Sequence, residues 1–223
     1  MKFETAKNNN VCWFLTVSDG FSKNIRKSLI SLASPQVFSK NLIDGYYSAQ
    51  NVFPSVLQIE PTSTGMPIYD LNKAKKIFAD ELKRLTDKKF PEDVVLYYYD
   101  DGFSNTVVTD IVGHWQNQLG AYINIEKVSS PALLESQLKD QTYALSIFPI
   151  SADSMLVSEY LQKFGITYKN EKISKIQSKL LNSNNLVPLM TQDTVIAYSK
   201  NLENLKFENG NGCIDFAYII KTE

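Results

Sequence analysis

The chain has 223 residues, of which 43% are hydrophobic and 21% charged, and a formal net charge of −1. That is the composition of a folded, core-forming protein, and its near-zero charge gives no electrostatic drive towards nucleic acid or an anionic membrane. No run approaches the roughly 20 apolar residues that span a bilayer, and Met1–Thr5 has neither the apolar core nor the cleavage site of a signal peptide. As written, the chain reads as soluble: either cytoplasmic, or derived from an exported parent whose leader is absent.

Lys7–Asn10 is polar and expected to fray, and Val11–Val17 (VCWFLTV) follows as a strong strand. A helix starts at Ser22 or Lys23, with Ile25, Leu29, Ile30, Leu32 and Ala33 apolar. Ser34-Pro35 then reads as cap and first position of a short helix to Ile43. Gly45–Pro67 has no period and predicts a long extended connection. Asp70 opens an amphipathic helix over Asn72–Thr86, with Ala74, Ile77, Phe78, Leu82 and Leu85 on one face and lysines on the other.

Val94–Val128 is a strand–helix–strand unit. VVLYYY is a β-branched and aromatic run suited to a strand buried on both faces. From Ser104 the period turns helical, through Val108, Ile111, Val112, Trp115 and Leu119, and Gly120 closes the helix as a left-handed residue. AYINIEKV returns as a strand parallel to the first. Ligands of open parallel sheets bind beyond the carboxyl ends of the strands, so the loop Asp100–Asn105, with Ser104 and Asn105, is a candidate site.

Ser130-Pro131 starts another helix. Thr142–Phe148 is a strand, Pro149–Asp153 a loop, Met155–Phe164 a helix and Glu171–Asn182 a further helix. Val187–Met190 and Val195–Ser199 read as two strand-like pieces, Asn209–Gly212 as a turn, and Cys213–Lys221 as a final strand. Alternating helices and strands predict an α/β core. The terminal strands, Val11–Val17 and Cys213–Ile220, flank that core and are placed to pair with each other. Their cysteines are either two buried thiols or, in an oxidising compartment, a disulfide.

Chemistry-bearing patterns are sparse. The only histidine, His114, lies four residues after Asp110, as an i,i+4 surface pair. No phosphate-binding glycine loop, nucleophile elbow or metal-ligand spacing occurs, so no enzyme, cofactor or metal is expected. Asp100 and Asp101 are adjacent and read as a solvated loop. Asp153 has two readings: N-cap of the helix that follows, or a carboxylate at a cleft rim accepting an ammonium group.

Five stretches, in order, resemble the extracellular solute-binding proteins of ABC importers, in the oligopeptide/dipeptide-binding family (family 5). They are NIRKSLISLA at 24–33, DLNKAKKIFA at 70–79, the unit at 95–126 with its late Trp115 and Leu119-Gly120, YAL at 143–145 with Ala152-Asp153, and VPL at 187–189 followed by VIAYS at 195–199. Members of that family have two hinged lobes around a ligand, and all five stretches belong to the second. The resemblance therefore implies an α/β, three-layer lobe of the periplasmic-binding-protein-like type II fold, a mixed sheet flanked by helices. Residues 1–20 and 205–223 would be strands crossing to a missing N-terminal lobe, with residues 21–204 as the solute-binding lobe. That places Cys12 and Cys213 near each other.

The implied function is binding a solute, as a small molecule or peptide, for import through ABC permease subunits. The parent would be extracellular, held at the cell surface by a lipid anchor absent here. Asp153 stands where the family receives a peptide's α-ammonium, with Ile150, Ser151 and Ala152 beside it. Pro149 and Ile150 stand where the family has a glycine and a tryptophan, and Ser130 near another cleft aromatic. An effector-sensing domain of a transcriptional regulator, some of which carry a similar lobe, is the alternative.

Overall fold

The computed structural model describes residues 2–60, 66–100, 104–139, 141–169, 171–182, 185–199, 201–203, 206–207, 214–215 and 220–221. Its centre is a six-stranded mixed sheet. In chain order the strands are β1 (Lys2–Val17), β2 (Tyr46–Ser48), β3 (Val95–Tyr99), β4 (Asn124–Val128), β5 (Ala144–Ser151) and β6 (Leu186–Tyr198). In space the order is β2-β6-β1-β5-β3-β4. β3 runs parallel to both β4 and β5, while β1 is antiparallel to both β5 and β6.

Alternation along the strands feeds two layers. Trp13, Leu15, Val17, Leu96, Tyr98, Leu145 and Ile147 point to one face. There they meet helices α1 (Lys23–Leu32), α2 (Pro35–Phe38), α3 (Leu71–Leu82) and α4 (Ser104–Leu119). Cys12 and Phe14 point to the other face, which is covered by the segment around Val52–Leu57 and by α6 (Val157–Gln162) and α7 (Ile173–Asn182). A smaller cluster, Val95, Tyr97, Val128 and Ala144, lies with Leu134 of α5 (Pro131–Lys139). Three layers result, as the fold class requires. Trp115 is fully buried, and its indole N–H donates to the Leu29 carbonyl at 2.8 Å, tying α4 to α1.

Helix starts follow the sequence signals. Ser22 accepts from the Ile25 N–H, Ser34 from Gln36 and Asp70 from Lys73, satisfying orphan donors of the first turn. Gly120 takes φ +68° directly after α4. Among its described residues, the extended connection at 45–67 carries β2 and a 3-10 turn, Ser55–Leu57.

Several expectations are corrected. Lys7–Asn10 does not fray: β1 runs through it, and the segment opposes Asp193 alone, between the pairs Ala6–Thr194 and Val11–Gln192. The two pieces expected at 187–190 and 195–199 form one strand, β6. Leu189 is an extra residue between the pairs Trp13–Met190 and Phe14–Pro188, a bulge that also accommodates the proline.

Pro149 does not end its strand. β5 continues to Ser151, because β3 stops pairing at Tyr98–Ile147 and no neighbour then needs the missing N–H. The described parts of the final strand do not pair with β1, both of whose sides are already occupied by β5 and β6. They form short ladders instead, β8 (Lys206–Phe207) with β9 (Ile214–Asp215) and β7 (Leu202–Glu203) with β10 (Ile220–Lys221). Cys12 is free and buried; Cys213 and the turn at 209–212 lie outside the described residues.

Candidate functional site

Because β3, β4 and β5 are parallel, their carboxyl ends lie at one end of the sheet. β1 and β6 extend past it as a two-stranded ribbon, Lys2–Ala6 against Thr194–Tyr198. Three groups of side chains gather at this end.

The first is built by the exit from β5. The Ala152 N–H donates to the Asn10 carbonyl at 2.7 Å, which fixes the chain as it leaves the strand. Ser151 Oγ donates to Asp153 Oδ1 at 2.5 Å. Lys163, at the end of α6, reaches back with its ammonium to Asp153 Oδ2 at 2.5 Å, the Ser151 carbonyl at 2.9 Å and Ser151 Oγ at 3.3 Å. The Lys163 ammonium, then the Ser151 hydroxyl, hold the Asp153 carboxyl below its usual range. Asp153 is not a helix cap, correcting that reading: α6 begins four residues later. Ser154 serves its start, accepting from the Leu156 N–H at 3.2 Å and donating to Glu159 at 2.5 Å. Met155 and Leu156, 46% and 56% exposed, add apolar surface beside the network.

The second group follows β3. Ser104 is buried and donates to the Tyr99 carbonyl at 2.9 Å, and the Tyr98 hydroxyl donates to Asn105 at 3.1 Å. Asp100 pairs with Lys127 of β4; Asp101 lies outside the described residues. The third group was not among the residues singled out from the sequence. Trp13 donates to Gln192 at 2.8 Å and its ring lies 6.5 Å from that of Tyr99. The Tyr47 hydroxyl donates to the buried Asp193 carboxylate at 3.1 Å. Gln192 and Asp193 were the polar break that split β6 in the sequence reading, which was the available signal. Lys163 gave none, being one more lysine at a helix end.

Of the residues singled out from sequence, Ser151 and Asp153 touch each other, with Ile150 before them in β5 and Ala152 between them, just past the strand's end. Ile150 packs on the core, and Ala152 is buried with its N–H committed. Ser104 and Asn105 sit at the start of α4. Ser130 caps α5, accepting from the Leu133 N–H at 3.2 Å. His114 and Asp110 do not pair: His114 Nε2 lies 3.2 Å from the Tyr69 hydroxyl, and Asp110 accepts from Asn41. Among the described residues no three His, Cys, Asp or Glu side chains come together to hold a metal, and no helix is long and apolar enough to cross a membrane. A cavity of about 640 Å³ lies away from this end, between α1 and α3, beside Lys27, Ile68 and Lys73.

No protein-family model and no curated protein matches the chain. Solved structures do. A structure on the peptide-binding mode of the pheromone receptor PrgZ superposes with a TM-score of 0.77 at 16% identity, over 99% of this chain and 50% of that one. Listeria monocytogenes OppA bound to peptide gives 0.67 at 19% identity, over 99% and 50%. Bacillus subtilis AppA in complex with a nonapeptide gives 0.69 at 15% identity, over 95% and 50%. The chain has the fold of half of an oligopeptide-binding protein. It spans about half the length of each of these structures.

Proposed function

We propose that this chain is one lobe of a two-lobed peptide binder serving an ABC permease, and that its ligand lies across the carboxyl end of the sheet. The observation that carries the reading is the fold shared over nearly the whole chain with half of PrgZ, OppA and AppA. The arrangement at the strand ends supports it. Asp153 and Ser151 present polar atoms there, and Asn105 is exposed close to Tyr98 and Tyr99. Ile150, Ala152, Ser104 and Ser130 shape the backbone that holds them.

Residues 21–204 act as the binding lobe, and residues 1–20 and 205–223 lead to the second lobe. Closure of two lobes around the ligand supplies affinity, and no bond is made or broken. The protein works outside the cell, anchored at the surface by a lipid on the parent chain. Native mass spectrometry tests this on the protein isolated from its own cells, at the length they produce. Released peptide of defined mass is the expected result; a bound nucleotide or metabolite of another class contradicts the proposal.

A further inference from the structure

The polar network at the exit of β5 is complete without a ligand. An ammonium carries three hydrogens, and that of Lys163 has three acceptors within reach: Asp153 Oδ2, the Ser151 carbonyl and Ser151 Oγ. The other Asp153 oxygen accepts from Ser151. The carboxylate is thus matched in charge and direction by a cation of the same chain, ten residues away. Yet the pair stands at the surface, with side-chain exposures of 68% for Asp153 and 35% for Lys163.

We infer that Lys163 is a specificity-determining residue of this site: it occupies Asp153 as an internal counter-ion, so that the site does not select ligands for a free amino terminus. The inference rests on the reading above, that the ligand lies across this end of the sheet. A ligand ammonium gains Asp153 only by displacing Lys163. The exchange replaces one ion pair with another. Lys163 keeps the Ser151 oxygens, and an exposed ion pair traded for its like brings little net gain. A ligand whose terminus is neutral leaves the network intact. Met155 and Leu156, exposed beside it, offer such a ligand apolar contact instead.

The probes are a pool of leucine-rich heptapeptides with free amino termini and the same pool N-acetylated, titrated calorimetrically into the full-length protein. In the wild type the two pools bind with affinities equal within about twofold, since an exposed ion pair exchanged for its like changes little. In Lys163→Met, which keeps the aliphatic stem, the free-amine pool gains about fivefold over the acetylated pool. In Lys163→Met combined with Asp153→Asn the preference disappears. An unchanged ratio in Lys163→Met, or an equal gain for both pools, overturns the role of Lys163 while peptide binding stands. Failure of either pool to bind any variant, each with a wild-type urea unfolding midpoint, overturns the peptide reading and the inference together.

Discussion

Asp153 can be followed by its titration alone. Its folded pKa lies below the ordinary value because Lys163 and Ser151 hydrogen-bond the charged form. Its stabilisation is therefore present above about pH 4 and lost as the pH falls through the folded value. Carboxyl NMR of the chain should find Asp153 titrating below ordinary aspartates, and Lys163→Met should return it towards them.

His114 behaves with the same sign. Burial, then the charge of Lys75, lowers its pKa, so the unfolded chain binds that proton more readily. The contribution is present above about pH 6.5 and fades as acid protonates the folded imidazole. Urea unfolding at a series of pH values should show a slope in this window that His114→Gln removes.

Gly20 is a steric requirement: a Cβ there runs into the Thr142 carbonyl, which is backbone and has no rotamer to escape into. Gly20→Ala should cost about 1–3 kcal/mol in urea unfolding. At this scale the sequence carried Asp153 and Ser151 but not their partner. A lysine ten residues on, past a helix, has no periodic relation to the carboxylate it neutralises.

At the scale of elements, α4 shows what periodicity delivers. Its apolar positions recur with helical spacing, its start at Ser104 and its glycine stop were both written locally, and its buried residues include Val108, Ile111, Val112 and Trp115. Trp115→Ala should cost about 3–5 kcal/mol, the cavity term dominating, with the Leu29 carbonyl losing one of its two donors and keeping the Ala33 N–H. Strands were harder to delimit for a physical reason. Proline normally argues against a strand interior, yet Pro149 sits where no neighbour needs its N–H, and Pro188 sits at a bulge. Such tolerance depends on which strand lies alongside, and only the tertiary arrangement supplies that. The same holds for the final strand: which residues pair with Lys206–Phe207 and with Leu202–Glu203 is fixed by space left beside them, β1 being taken on both sides.

For the whole molecule, the alternation of helices and strands carried the α/β class, and the order of five stretches carried the half-binder resemblance. The strand order did not follow from either, since β1, at the start of the chain, lies in the middle of the sheet between β5 and β6. That insertion brings Trp13 and Asn10 to the carboxyl ends of the parallel strands and sends a two-stranded ribbon beyond them. The central claim is that this end of the sheet, rather than the helix-lined cavity by α1 and α3, receives a peptide. Amide NMR shift mapping of the chain during titration with the free-amine heptapeptide pool tests it most directly. The account predicts that the perturbed amides cluster at Ile150–Leu156, Tyr98–Asn105 and Gln192–Asp193; perturbations confined to Lys23–Ser31 and Ile68–Ile77, or none at saturating peptide, would contradict it.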